Sequence, residues 1–565
     1  MPRDYIPGSS MYKPVGDYNV YDYFLMNTEQ YGDYPCFQHN YRDHMRSEFV
    51  NDVNALSLYY KKTLGFAPGD VYTVFLPTSI EAMAIFMALN KLGVIVNFVH
   101  PLASPERLSE IMRFTKSKGL AISDRAFPVY AAAVAPKNVP VLLCNFETYG
   151  VPDKFSPKLS EASLETAEKL GCSVKAYNDA VKDFNGLSEE GIKNNSKSVA
   201  LYMQGGGTTG KSRTIKLTNF ALTSVIYMCG GINEKPSHPG IDTEIGCMPF
   251  FHAYGFCVGG LSSFVKATKM VFLPKFDADK FIELMKLNHV VQFNGVPSMF
   301  KKLYNHPDWD GPHLASMKIA FGGGDDVGQA FLDKFNSVFE KYKSTAELHQ
   351  GYGLTECCAI VLTNPINMMK YNSLGCPLPG LTVEIWDENN SPVPNGTIGE
   401  IVISGPTLME GYLTEDGPVD DGIFYDANGR AWVKSGDLAY KDDDNFFFFA
   451  GRKKRIVIIS GYNVYPVDIE KVMKDIPFIR ESCSVQGFDE NGKKIIRLYA
   501  VLTPDATEAE ETYKAFITQA CTKVLPGFSV PRDIRFIKEL PLTPVNKVDF
   551  MKMTQHNPSD PIFEG

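Results

Sequence analysis

VALYMQGGGTTGKSRTIKLT, residues 199–218, is the stretch on which the fold class turns. VALYMQ is a continuous apolar run of strand length. Gly205, Gly206, Gly207, Thr208, Thr209, Gly210, Lys211 and Ser212 follow it. Glycines let successive backbone N–H groups face one concavity, and the threonine hydroxyls add donors, so the turn is suited to phosphate oxygens. Formally the segment satisfies G-x-x-x-x-G-K-[ST], the phosphate loop of P-loop NTPases. Such a loop opens directly into a helix whose N-terminus receives the phosphates. Here Arg213-Thr214-Ile215-Lys216-Leu217-Thr218 alternates polar and apolar as a strand does, and a helical pattern starts only near Asn219. The reading is therefore strand, glycine-rich turn, strand: a phosphate-binding hairpin.

Working outward, residues 71–99 hold an apolar strand (VYTVFLP), a helical run (IEAMAIFMALNKL) ending at Gly93, and a second apolar strand (VIVNFV). That is a parallel βαβ unit with both faces covered. KIAFGGG at 318–324 adds another strand to this α/β body, and residues 131–195 read as a peripheral elaboration of it. After Trp432 the composition changes. An acidic turn, four phenylalanines, the basic run RKKR at 452–455 and a further strand lead into a compact α+β segment. Asn491-Gly492 marks a hairpin there. Tyr513, Phe516, Ile517, Ala520, Cys521 and Val524 then recur at helical spacing. The expected division is a body over 1–452 and a small domain over 453–565.

The 565 residues carry 56 Lys+Arg against 65 Asp+Glu, a net charge of −9 that argues against nucleic acid or an anionic membrane as the main partner. Phosphate recognition must therefore be local. Eleven scattered cysteines without a CxxC pair read as reduced thiols rather than a disulfide frame or zinc site. No run reaches the ~18 apolar residues of a spanning helix, neither terminus reads as a targeting signal, and a cytoplasmic location is expected.

Further segments, in chain order, are PFFHAYGF (249–256), FGGGDD (321–326), QGYGLTE (350–356), GEIVISGPTLMEGY (399–412), WVKSGDLAY (432–440), GRKKRIVIISGYNVYPVDIE (451–470) and PLTPVNK (541–547). With the glycine hairpin they resemble the adenylate-forming superfamily: acyl-CoA synthetases, firefly-type luciferases and the adenylation domains of peptide synthetases. The resemblance runs over most of the chain from about residue 70. It implies a large multi-subdomain α/β body with mixed parallel sheets and a small mobile α+β C-terminal domain. It also implies ATP, Mg²⁺ and CoA as co-substrates and cofactor.

The resemblance implies these roles. The loop Gly205–Gly210 closes over the β- and γ-phosphates, with either Lys211 or Arg213 meeting pyrophosphate, since Ser212-Arg213-Thr214 replaces the family's Pro-Lys-Gly. Tyr352 stacks on adenine opposite the backbone of Gly322, Gly323 and Gly324, with Gly353 beside it. Thr355 donates to the α-phosphate and Glu356 holds Mg²⁺, a cation that takes one or two carboxylates plus phosphates. Asp437 accepts from the ribose hydroxyls and Arg452 contacts the same region. Lys454 is the hinge. Lys547 is the catalytic lysine, preceded by Asn546 where the family has glycine. His252, Tyr254, Val296 and Gly323 line the acyl pocket, and Gly461 lines the CoA channel.

The acyl segment carries no carboxylate to pair a substrate ammonium, so a fatty or other apolar or aromatic carboxylic acid is expected rather than an amino acid. The implied activity is an AMP-forming acid–thiol ligase. A carrier-protein-loading acyl-AMP ligase, a P-loop-type NTPase and a non-catalytic nucleotide-binding homologue are the alternatives. Oligomeric state is not readable from the sequence.

Overall fold

A computed structural model describes residues 15–193, 195–205, 213–232, 238–324, 328–365, 368–419, 422–459, 462–542 and 548–555. The chain forms two compact units. The first takes the described residues of 15–205, 213–383 and 403–433, and the second those of 384–402 and 434–555.

The first unit contains two nine-stranded sheets. One runs Gly417–Val419, Gly411–Thr414, Thr214–Thr218, Val199–Gln204, Ile95–Phe98, Val71–Phe75, Ser117–Ser123, Val141–Cys144, Val174–Ala176. The βαβ unit is there: Val71–Phe75 and Ile95–Phe98 pair in parallel, Val71 opposite Ile95. Helix Ile80–Lys91 between them is buried on every face, in keeping with its largely apolar sequence. Ser79 caps its start by accepting from the Ala82 N–H, and Gly93 at φ +70° turns the chain out of it. Residues 131–195 contribute more than a periphery. Val141–Cys144 and Val174–Ala176 extend the sheet in parallel beyond Ser117–Ser123. Strands of three and four residues carry too little periodicity to announce themselves.

The second sheet runs Cys376–Pro377, Leu362–Thr363, Leu348–Tyr352, Ile319–Gly323, His289–Gly295, Asp242–Gly246, Lys269–Phe272, Pro35–His39, Arg42–Met45. Its middle strands are parallel, with Phe321 opposite His349 and Asn294 opposite Phe321. Phe281, Phe293, Phe300, Phe335 and Trp309 form a buried aromatic core against its helical side.

In the second unit, Ile479–Phe488 and Lys494–Leu502 form the hairpin expected at Asn491-Gly492, with Gly492 at φ +74°. Asp533–Phe536 joins in parallel. Helix Glu510–Val524 buries Tyr513, Ile517 and Cys521, whereas Phe516 and Val524 of the expected stripe are exposed. The covered face is narrower than the apolar pattern: Ile517, Ala520 and Cys521 meet Ile469, Ile496 and their neighbours, and Tyr513 packs on Phe478.

Candidate active site

Four parallel strands of the second sheet, Asp242–Gly246, His289–Gly295, Ile319–Gly323 and Leu348–Tyr352, end along one edge. The segments that follow them in sequence are PFFHAYGF, Val296, Gly324 and GLTE. The carboxyl edge of a parallel sheet is where open α/β folds bind ligands, and here the fold brings four separated motifs to it.

PFFHAYGF runs into a nine-residue π-helical turn, Tyr254–Ser262, a rare geometry that is frequent at functional sites. Gly255 permits it, since a Cβ there would sit 2.1 Å from the Pro249 carbonyl oxygen. The Tyr254 hydroxyl donates to the Phe321 carbonyl at 2.9 Å. Its ring covers Gly323, where a Cβ would be 3.3 Å from it, and Val296 lies 3.8 Å from the Cβ position of Gly324. Tyr254, Val296, Gly323 and Gly324 thus meet, and His252 stands half-buried just ahead of the turn.

Tyr352 ends its strand beside the Gly322-Gly323 strand, with Gly323 opposite Gly351. The chain then doubles back tightly: a Cβ on Gly353 would lie 1.4 Å from the Ala359 carbonyl oxygen. A 3₁₀ turn, Thr355–Cys357, and left-handed Cys358 (φ +57°) complete the reversal and leave Thr355 and Glu356 half-buried.

The glycine-rich segment is the hairpin read from its alternation. Val199–Gln204 and Thr214–Thr218 are antiparallel, the Gly205 N–H donates to the Arg213 carbonyl at 2.8 Å, and the helix starts at Asn219. Among the described residues the loop is followed by the strand Thr214–Thr218 and not by the helix that a P-loop requires. Gly206, Gly207, Thr208, Thr209, Gly210 and Lys211 lie outside the described residues, as do Gly461 and Lys547. Leu542 and Val548, on either side of the Lys547 segment, pair as an antiparallel bridge.

Tyr412, which sequence reading passed over, joins two of the expected site residues. Its strand Gly411–Thr414 pairs with Thr214–Thr218, Tyr412 opposite Ile215. The ring carries the Arg213 guanidinium 5.1 Å from its centroid, and the hydroxyl donates to Glu356 Oε1 at 3.0 Å. The backbone adds a second tie, Met409 N–H to the Glu356 carbonyl at 2.8 Å. The signal was the Gly-Tyr pair closing GEIVISGPTLMEGY, which has no chemistry until the strand docks.

In the second unit, Asp437 and Arg452 face each other across an antiparallel pair, with Arg452 Nε 3.0 Å from Asp437 Oδ1. Within RKKR, Lys453 pairs with Glu400 at 2.9 Å and Arg455 is tied to Glu470. Lys454 is exposed and, among the described residues, makes no ion pair.

A family model described as "AMP-binding enzyme" matches residues 24–413, and one described as "AMP-binding enzyme C-terminal domain" matches 468–547. The chain belongs to the AMP-binding enzyme family. Among relatives of this AMP-binding enzyme, a long-chain-fatty-acid–CoA ligase of Escherichia coli O6:H1 is 24% identical over 541 residues, 94% of this chain and 93% of its own. ATP-bound MatB from Rhodopseudomonas palustris superposes with a TM-score of 0.76 at 20% identity, over 95% of this chain and 99% of its own. A benzoate CoA ligase from Burkholderia xenovorans does so with a TM-score of 0.76 at 18% identity, over 95% and 100%. The two structures establish the shared fold.

The residues at hand fit a hard cation. A carboxylate has about four lone-pair sites, and one hydrogen bond from Tyr412 leaves acceptor capacity on Glu356. Among the described residues no cluster of three or more His, Cys, Asp or Glu could hold a metal by itself. A magnesium ion held by Glu356 would need phosphate oxygens to complete its ligands, as that ion ordinarily does.

Proposed function

We propose that this AMP-binding enzyme is an AMP-forming acid–thiol ligase, which converts a carboxylic acid and Mg-ATP to an acyl-adenylate and pyrophosphate and passes the acyl group to CoA. The observation that carries the reading is Tyr412, whose one ring meets both Arg213 beside the glycine hairpin and the carboxylate of Glu356. A residue suited to pyrophosphate and a residue suited to the metal are thus held in one geometry, at the strand edge that presents Tyr352 and the acyl segment.

In this reading Glu356 would hold a magnesium ion, which would supply positive charge to the phosphates. Thr355 donates to the α-phosphate and Arg213 holds the leaving pyrophosphate. Asp437 accepts from ribose, with Arg452 fixing its carboxylate. Lys547 supplies an ammonium to the α-phosphate and the attacking carboxylate, so positioning and electrostatics do the work. Lys454, exposed and without an ion pair among the described residues, suits a hinge whose rotation withdraws Lys547 and presents Gly461 to the thiol. The eleven cysteines are free thiols, which fits a reducing cytoplasm.

Acid-dependent ATP–pyrophosphate exchange across short, long and aromatic acids tests the first half-reaction. The expected result is exchange in the wild type and its loss in Lys547→Ala while ATP still binds. Release of ADP and phosphate would overturn the reading in favour of an NTPase. CoA consumption separates this acceptor from a carrier protein, and absence of exchange with every acid would leave a nucleotide-binding homologue.

A further inference from the structure

Val457–Ile459 and Tyr462–Val464 form an antiparallel pair in the second unit, with Ile459 opposite Tyr462 and Val457 opposite Val464. Residues directly opposite one another share a face of such a pair. Val457, Ile459 and Val464 are buried on that face, in the core that holds Ile469, Ile496 and Ile517. Tyr462 starts from the same face yet stays 59% exposed. Its ring lies flat on Phe528, with 4.7 Å between centroids and 9° between planes. Phe528 is half-buried and packs against the same core from the turn Pro526–Ser529. From inside outward the order is core, Phe528, Tyr462, solvent.

A ring held flat by the ring beneath it has given up rotamer freedom before anything binds, so a planar group stacks on its open face at small entropic cost. Aromatic platforms of this kind take nucleobases, because every base has a π-face. The nearby charge suits a nucleotide. Lys523 and Arg532 flank the Phe528 turn in sequence, both are exposed, and among the described residues neither is in an ion pair. Two ligands of an acyl-CoA ligase carry adenine, ATP and CoA. The ring of ATP is assigned to Tyr352 in the first unit, which leaves that of CoA.

We infer that Tyr462, supported by Phe528, is the stacking platform for the adenine ring of CoA. This rests on the ligase reading above and assigns a place to the nucleotide end of its acceptor. Tyr462 directly follows Gly461, the channel residue of that reading. The pantetheine arm enters such a channel and the nucleotide stays outside it, where an exposed ring can meet it. Tyr462 and Phe528 bind the acceptor in this scheme and take no part in adenylation.

The test separates CoA from pantetheine, which has the same thiol and arm without the nucleotide. Thioester formation by the full-length enzyme is measured with whichever of hexanoate, palmitate and benzoate gives the fastest pyrophosphate exchange. Tyr462→Ala is expected to raise KM for CoA about tenfold, while KM for pantetheine, KM for ATP and the exchange rate stay within about twofold. Phe528→Leu, which keeps bulk and removes the flat support, should raise KM for CoA several-fold, and Tyr462→Trp should leave it at the wild-type value or below. An unchanged KM for CoA in Tyr462→Ala overturns the inference. An equal rise for CoA and pantetheine also overturns it, since the ring would then only shape the fold, and so does a rise for ATP, which would give the platform to the other adenine. If Tyr462→Ala fails to fold, Tyr462→Leu takes its place under the same criteria. If exchange fails with every acid, or CoA is not consumed, the ligase reading falls instead. There, and if pantetheine does not turn over, calorimetric binding of adenosine 3′,5′-bisphosphate at saturating ATP decides the platform: weaker binding by Tyr462→Ala than by the wild type supports it, and equal or absent binding overturns it.

Discussion

The Tyr412 hydroxyl donates to Glu356 Oε1 at 3.0 Å, and the two residues are 56 positions apart in the chain. The donor comes from a strand of the first sheet, the acceptor from the turn that ends a strand of the second. Gly422 leaves room for the ring, since a Cβ there would come within 2.4 Å of it.

Tyr412→Phe keeps the surface under Arg213 and removes only the hydroxyl. The expected outcome is a rise of roughly tenfold in the Mg²⁺ needed for half-maximal pyrophosphate exchange, the equivalent of about 1.4 kcal/mol. Melting should move little, because Glu356 is half-buried and water replaces the lost donor. A magnesium titration of exchange in the two proteins checks this, and superimposable curves would remove Tyr412 from the site.

Arg452 is half exposed while its partner Asp437 is almost wholly buried. Arg452→Ala therefore leaves a buried carboxylate short of a charged donor, at a cost of about 1–3 kcal/mol. The expected result is a lower urea midpoint in Arg452→Ala than in Arg452→Lys, together with weaker ATP binding in both. An unchanged midpoint would show that the pair contributes nothing to stability.

Gly353 has no room for a methyl group, the obstacle being the backbone carbonyl of Ala359 rather than a side chain that could swing away. Gly353→Ala should open the reversal that places Thr355 and Glu356, abolishing exchange and destabilising the fold by about 3 kcal/mol or more. Exchange at the wild-type rate in a purified Gly353→Ala enzyme would contradict the tightness of this turn.

Glu81, at 3% exposure in the first turn of the buried helix, has its carboxyl pushed up to about 7 from an ordinary 4.5, with burial the main cause. The folded state then holds a proton that the unfolded state releases, so this group's contribution falls as pH rises from about 4.5 to 7. It stays low above that window. Glu81→Gln should be less sensitive to pH there, gaining about 2–3 kcal/mol on the wild type between pH 4.5 and pH 8. Parallel denaturation at the two pH values measures it, and an equal difference at both would mean that Glu81 ionises normally.

Much of the architecture was legible from local pattern. The alternation at 213–218 separated a hairpin from a P-loop, and the 71–99 run announced a parallel pair, because strand and helix periods are properties of neighbouring residues. Asp437 and Arg452 were named separately from SGDLAY and RKKR. Their register across one antiparallel pair became visible only in three dimensions. The small strands at 141–144 and 174–176 were missed because each is too short to show a period.

The sequence by itself determined the element types, the glycines that demand tight turns, and the family through an ordered set of motifs, since all of these depend on local chemistry and order along one dimension. Tertiary structure alone decided that Tyr412 grips Glu356, that Lys454 stands apart, among the described residues, from the pairs formed by its basic neighbours, and that Asn294 meets Glu244. Those are contacts between residues tens of positions apart. They exist only because parallel strands end at one edge and fix which faces meet, and no periodicity records which distant side chain will arrive opposite.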